Sequence, residues 1–256
     1  MFPFAIALAL LTPITLPKPT PPLPLGSLLL TSAQKTVVQK QKSKPKPNKA
    51  KVPPPIAQKE EKWKILFDGK SLGNWKETEF GGNGAVHIEQ NFHGELPAIV
   101  VETGASLSGF NWTGEALPKI NYEITLDAMK IEGSDFFCGI TFPVGASNVS
   151  LILGGWGGGA VGISSINHQD ASENETTKYL AFMKDRWFKV RVRVTPTKIE
   201  AWLDDKQIVD LETKDKKLSL RLGDISRSLP LGFATYQTSG AFRSIKMRTL
   251  DAKTGR

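Results

Sequence analysis

Between Asn167 and Thr177 the chain reads Asn-His-Gln-Asp-Ala-Ser-Glu-Asn-Glu-Thr-Thr, one imidazole and three carboxylates in a short polar run. His168 is the side chain suited to accept a proton near neutral pH. Asp170, Glu173 or Glu175 can orient it or return the proton, and Arg186 can steady an oxygen that gains negative charge. Those are the parts of a general acid–base site. Two plainer readings stand next to this one: a solvated loop, and a loop that holds a divalent metal such as calcium through carboxylates and carbonyls.

Just upstream, Leu153-Gly154-Gly155-Trp156-Gly157-Gly158-Gly159-Ala160-Val161-Gly162 is crowded with glycine. Glycine lowers strand propensity, so its abundance points to a sharp turn or to close approach of another group to the backbone. No Lys-Ser/Thr ending follows, which argues against a phosphate loop. Trp156 at the apex either offers a flat apolar face on which a sugar ring can stack or tucks back over the edge of the fold. Cys138, the single cysteine, lies in the apolar run Phe136-Phe137-Cys138-Gly139-Ile140 and reads as a buried small hydrophobe, not a nucleophile. His87 and His93 lack a third nearby ligand and give a weak metal signal. Asn111-Trp112-Thr113, Asn148-Val149-Ser150 and Asn174-Glu175-Thr176 match the glycosylation triplet, which by itself decides nothing.

The elements around these residues read as short strands. Arg186-Trp187-Phe188-Lys189-Val190-Arg191-Val192-Arg193-Val194 alternates with period two, placing Val190, Val192 and Val194 on one face and Lys189, Arg191 and Arg193 on the other. Residues 199–203 and 207–211 flank Asp204-Asp205 as a hairpin. Further strands are expected at 85–89, 98–102, 121–131, 136–142, 148–153, 161–164, 231–236 and 242–250, with no convincing amphipathic helix. In the last of these, Phe242, Ile245 and Met247 break strict alternation, which permits a bulge. Many short strands bounded by Gly, Pro, Asn and Asp predict an all-β protein of two packed antiparallel sheets.

Four segments carry a family resemblance. They are Leu66-Phe67-Asp68-Gly69-Lys70-Ser71-Leu72-Gly73-Asn74-Trp75, the alternating strand from Arg186, the Asp204-Asp205 hairpin, and the closing strand from Ala241 to Leu250. Together they resemble the 3-keto-disaccharide hydrolase family, also described as 3-keto-glucoside lyase/hydratase or domain of unknown function 1080, over about Lys64 to Leu250. Asp68 itself reads as a turn residue whose carboxylate bonds nearby backbone amides. The resemblance implies a concanavalin A-like (LamG-like) jelly-roll β-sandwich whose concave sheet face receives sugar. It also implies elimination and hydration at a 3-keto-glucoside, where the ketone acidifies the C2 proton. On that reading His168, Asp170, Glu173 and Arg186 are the catalytic candidates, and Trp156, Glu175, Tyr236 and Gln237 the substrate-binding ones.

The chain also departs from the family pattern. Members carry Gln-Asp-His-Gly before the final strand where this chain has Tyr236-Gln237-Thr238-Ser239-Gly240, and Asn-Ser-Gly-Ile-Phe-Arg where it has Phe136 to Pro143. Either the site is rebuilt around His168, or catalysis is lost and carbohydrate binding kept.

Charge confines the partners. Residues 1–62 hold ten lysines and two glutamates, leaving 23 basic and 23 acidic of the chain's 33 and 25. The compact part (63–256) is formally neutral, so the basic pI belongs to the front of the chain, and sugar is expected as partner in place of nucleic acid. Residues 34–62 are rich in Lys, Pro and Gln and read as a disordered spacer, able to adhere to an anionic envelope polymer. Residues 1–33 are apolar and acid-free with a small-residue exit at Thr31-Ser32-Ala33, resembling a secretory signal and implying export, although no Lys or Arg precedes Lys18. Prolines break the apolar runs well short of the roughly 20 residues of a spanning helix, so no transmembrane anchor is expected.

Overall fold

The computed structural model describes residues 62–251, so the expected leader and all of the expected spacer except Lys62 lie outside the described residues. In chain order the strands are β1 (Lys64–Ile65), β2 (Trp75–Glu77), β3 (Val86–Glu89), β4 (Ala98–Val101), β5 (Leu107–Trp112), β6 (Tyr122–Gly133), β7 (Cys138–Val144) and β8 (Ser147–Gly154). After a helical turn at Gly155–Gly158 come β9 (Ala160–Ser164), β10 (Lys178–Tyr179), β11 (Trp187–Val194), β12 (Lys198–Leu203), β13 (Lys206–Glu212), β14 (Gly232–Tyr236) and β15 (Thr238–Thr249). One sheet has the order β13-β12-β11-β6-β15-β4-β3 with β1 beside β15; the second has the order β10-β9-β8-β7-β14-β5-β2. Packed face to face, they form the expected concanavalin A-like jelly-roll sandwich. Helical structure among the described residues is confined to the glycine turn and two 3-10 segments, Phe92–Gly94 and Asp224–Ser228.

Alternation decides what lies between the sheets. In β11 Val190, Val192 and Val194 are fully buried while Lys189 is exposed, as the period-two pattern demands. Phe110 and Phe233 of the second sheet meet Phe242 of the first at centroid separations of 5.4 and 5.5 Å. Tyr122 crosses the core and donates its hydroxyl to the Pro143 carbonyl at 2.6 Å. Burial pushes that phenol well above its ordinary pKa, so it stays a donor.

The opening motif is a structural clasp. The indole N–H of Trp75 donates to the Leu66 carbonyl at 2.8 Å inside the core, and its ring packs edge-on against Phe110 at 5.2 Å. Between these anchors Asp68 Oδ1 accepts from the amides of Lys70 and Ser71 at 2.8 and 3.2 Å. Those two backbone donors hold its carboxyl below the usual range.

Two irregularities expected from sequence are present. Asp204 and Asp205 have φ of 48° and 65°, the left-handed pair of a two-residue hairpin turn between β12 and β13. The register of β15 shifts between Arg243 and Lys246, and the bulge returns Ile245 and Met247 to the core. The strand β5 was not among those expected, because Gly109 interrupts its apolar pattern. A side-chain carbon at that position would lie 2.1 Å from the Phe233 carbonyl oxygen, so the sheet requires the residue that hides the strand.

The first sheet buries one carboxylate completely. Glu123 of β6 accepts from Arg193 Nε of β11 and Arg248 Nε of β15, both at 2.7 Å, joining three central strands. Glu123→Ala is expected to cost about 2–3 kcal/mol in unfolding, since the partly buried guanidinium groups of Arg193 and Arg248 lose the carboxylate they share. Asp205→Gly is expected to stabilise the fold by roughly 1 kcal/mol, because glycine adopts the left-handed position freely and the exposed contact to Lys189 contributes little. Thermal unfolding of the two variants against the parent checks both signs.

Candidate functional site

Val149, Leu151, Leu153, Val161, Ile163 and Phe233 point from the second sheet into the core. Ser150, Ile152, Gly162, Ser164, Ala234 and Tyr236 therefore lie on its outer face. Small residues let loops pack directly onto that face: a side-chain carbon at Gly162 would lie 2.8 Å from the Ala171 carbonyl oxygen. Over one part of it Phe80, Ala234 and Ile225 form a minor apolar cluster with Leu107, Phe136 and Leu220, packing the segment around Asp224–Ser228 onto the sheet. Beside this cluster lie two adjoining depressions of about 290 and 190 Å³ that share Phe136, Trp156, Arg221 and Tyr236. The larger is near the lower end of the range for small-molecule sites.

Each wall of this cleft has a traceable cause. The glycine loop turns sharply through left-handed φ at Gly154 (82°), Trp156 (48°), Gly157 (87°) and Gly158 (104°). A side-chain carbon at Gly158 would sit 3.0 Å from the Ser134 carbonyl oxygen and 3.4 Å from Lys130 Nζ, so the loop closes only over glycine. Asp135 holds the loop from below, accepting from the Gly157 amide at 3.1 Å and from its own neighbour Phe136 at 2.8 Å. Burial, aided by nearby Lys184 and opposed by Asp135, lowers the pKa of Lys130 beneath this loop. The outcome is a Trp156 side chain that is 41% exposed at the mouth of the cleft.

Opposite it, residues 217–219 run beside 165–167 through Ser165 N to Ser219 O and Asn167 N to Lys217 O, each 2.8 Å. That pairing delivers Arg221 to the cleft, its guanidinium 5.7 Å from the Trp156 ring. Asp170 fixes Arg221, with Oδ2 3.2 Å from Nε, and Asp170 Oδ1 in turn accepts from Ser164 Oγ at 3.1 Å. Tyr236 stacks on Phe136 at 5.9 Å.

The residues expected from sequence distribute unevenly around this geometry. Trp156 and Tyr236 line the cleft, and Asp170 reaches it through Arg221. His168 is exposed and absent from the lining; with Asn167 it forms a tight turn, φ 51° and 67°, closed by hydrogen bonds between Ile166 and Gln169. Glu173 is exposed, and Glu175 pairs with Lys216 at 2.7 Å along a different groove beside β13. Gln237 is an exposed turn residue whose amide donates to the Ser106 carbonyl. Arg186 lies at the first sheet, bonded to Asp204 at 2.5 Å. The acidic segment takes its shape from Asn174, whose amide nitrogen donates to the carbonyls of Ile163, Gln169 and Asp170. Among the described residues no group of three or more His, Cys, Asp or Glu side chains is placed to hold a metal ion.

Arg221, Phe136, Asp135 and Asp224 line the cleft without having been anticipated. Arg221 sits in Leu218-Ser219-Leu220-Arg221-Leu222-Gly223, where the one usable signal is a cation among apolar residues ahead of a glycine.

The two-sheet jelly-roll sandwich defines the fold class, and the family model that matches it makes this a carbohydrate-active β-sandwich domain. Within it the chain belongs to the 3-keto-alpha-glucoside-1,2-lyase-like domain family, whose model matches residues 62–248. Comparison with curated proteins finds no significant match. Similar solved structures include the carbohydrate-binding module CBM66 from Bacillus subtilis, at 8% identity over 69% of this chain and 96% of that one, TM-score 0.44. The Crh5 transglycosylase in complex with NAG is similar at 10% identity over 74% and 83%, TM-score 0.48. The alginate lyase from Corynebacterium sp. is similar at 10% identity over 69% and 94%, TM-score 0.42. None of these three likenesses bears on ligand or activity. No helix of the described residues is long and apolar enough to cross a membrane.

Cys138 is fully buried in β7, and burial drives its thiol far above the usual cysteine range. A thiol reagent at pH 8 is therefore expected to leave the native protein unlabelled and to label one thiol per chain in denaturant. Rapid labelling of the native protein would show that the second sheet opens locally.

Proposed function

We propose that this domain recognises a glycoside in the cleft on the outer face of its second sheet. The observation that supports this most directly is the convergence of Phe136, Trp156, Arg221 and Tyr236 from four separate segments on one depression. Trp156 offers a ring face for stacking, and Arg221 and Asp224 offer hydrogen bonds to a polyol. Export and association with an envelope polymer through the basic spacer belong to the same reading, which rests there on the composition of residues 1–62.

A second reading, turnover of a 3-keto-glycoside, has one specific support besides the family: a guanidinium stands in the cleft with carboxylates around it. Asp224 or Asp135, the carboxylates that line the cleft, would take the C2 proton. The C–H electrons would form an enolate whose oxygen Arg221 steadies, and their return would expel the glycosidic oxygen, protonated by water or a second carboxylate. Water addition would then complete hydrolysis.

Calorimetric titration with glycosides and their 3-keto forms tests the first reading. Trp156→Ala and Tyr236→Ala are each expected to weaken binding by about 1–3 kcal/mol. Parent-like affinity in Trp156→Ala would place recognition elsewhere. For turnover, Arg221→Ala is expected to lower the rate by about two to three orders of magnitude, with His168→Ala near parent. Loss in His168→Ala alone would return the base to the acidic loop, and no turnover in the parent would leave recognition without catalysis.

A further inference from the structure

The outer face of the first sheet carries three parallel rows of facing side chains across β11, β6 and β15. Register sets Arg193, Glu123 and Arg248 in one row, Arg191, Thr125 and Lys246 in the next, and Lys189, Asp127 and Arg243 in the third. Directly opposed side chains in such rows lie within contact distance of each other. In the two outer rows a carboxylate sits between two cations. Glu123 accepts from Arg193 and Arg248, and Asp127 lies 3.3 Å from Arg243 Nε.

The middle row has the two cations and a threonine where the acid would be. Other carboxylates on this face go to the outer rows: Glu200 lies 3.7 Å from Arg193, Glu95 pairs with Arg243, and Asp205 lies 3.5 Å from Lys189. Arg191 is held 3.7 Å from the already bonded Glu123 and lies over the Trp202 ring at 3.9 Å. Lys246 has its ammonium 5.1 Å from the Trp63 ring and no carboxylate within ion-pair distance among the described residues. Between them the Thr125 hydroxyl is buried with no hydrogen-bond partner, on a residue only 7% exposed. A buried hydroxyl without a partner is a cost that the rest of the structure must offset.

We propose that this face is a second binding site, which takes the acidic group of an anionic saccharide between Arg191 and Lys246 above Thr125. The ligand's carboxylate or sulfate completes the middle row as Glu123 and Asp127 complete the outer ones, through charge-assisted hydrogen bonds. The concavity here measures about 390 Å³, larger than an oxyanion needs, and Trp63, Ser244 and Asp205 border the remainder. A sugar ring meets those requirements: an apolar face for the indole and hydroxyls for the polar groups. The site is on the opposite sheet from the cleft and stands whether or not the cleft binds glycoside.

The test uses the full chain and titrates glucuronate, a sulfated monosaccharide, methyl glucoside and inorganic sulfate. Acidic sugars are expected to bind with an affinity that falls as salt rises. Lys246→Gln, a surface change that removes no ion pair, is expected to weaken them at least about tenfold. Thr125→Asp supplies the missing acid from within and is expected to abolish binding while Trp156→Ala leaves it unchanged. Glucuronate binding no tighter than methyl glucoside, or unaltered by Lys246→Gln, overturns the proposal. Inorganic sulfate binding as tightly as the acidic sugars overturns its assignment to a saccharide. Binding that emerges only after Glu60→Gln and Glu61→Gln overturns it in favour of the chain's own acidic pair as occupant.

Discussion

Two sheets that bury their inner faces against each other can offer only their outer faces and loops to a ligand, and every feature of this domain follows from that division. Alternation along each strand sends one set of side chains into a shared aromatic and aliphatic core and exports the other set. Phe110, Phe233 and Phe242 meet across the interface, and the Tyr122 hydroxyl satisfies a buried carbonyl of the opposite sheet. A one-residue slip in β6 or β14 would exchange core for surface along the whole strand, so the core that stabilises the fold also fixes which residues a ligand can meet.

The two outer faces solve different problems. On the second sheet the exported residues are small, Ser150, Gly162, Ser164 and Ala234 among them, and that surface becomes a floor on which loops can be mounted. The mounting is costly locally, because Trp156 adopts a left-handed backbone conformation uncommon for a bulky residue. Asp135 on one side and the glycines on the other stabilise that conformation, and its result is a large aromatic ring kept exposed beside a guanidinium. A Trp tucked onto the sandwich edge would have buried more apolar area. Its exposure implies that the loop's constraints outweigh the gain from collapse.

How much of this was legible in the sequence depends on the range of the interaction involved. The valines of β11, the Asp204-Asp205 turn, the bulge in β15 and the Asp68 turn are local patterns, and each is present as read. Gly109 concealed β5 because its reason, the approach of the Phe233 carbonyl, comes from a strand more than a hundred residues away. The site follows the same rule. His168 drew attention as a titratable group in a polar run, yet its backbone serves a tight turn. Arg221 and Asp135 gain importance only when residues 217–219 pair beside β9 and the glycine loop folds over β7. Chemistry-bearing residue types are visible in one dimension; their convergence is a tertiary property.

Charge shows the same distinction between sum and arrangement. The compact part of the chain is formally neutral, and a neutral sum usually argues for an uncharged partner. On the first sheet, however, opposite charges are sorted into rows, and pairing within a row, not the total, determines which charges remain available. Glu123 is fully buried because two arginines satisfy both of its oxygens. So engaged, it reaches only one cation of the next row, Arg191 at 3.7 Å, where Arg191 and Lys246 flank a hydroxyl. A buried carboxylate thus does two things at once: it ties three strands together, and with its closest contacts given to Arg193 and Arg248 it leaves Arg191 a longer one at 3.7 Å and Lys246 none among the described residues. Neutrality of the domain as a whole is compatible with an anion-seeking seat on one face, because desolvated pairs act over the few ångströms of their contacts while the net charge is felt only at longer range.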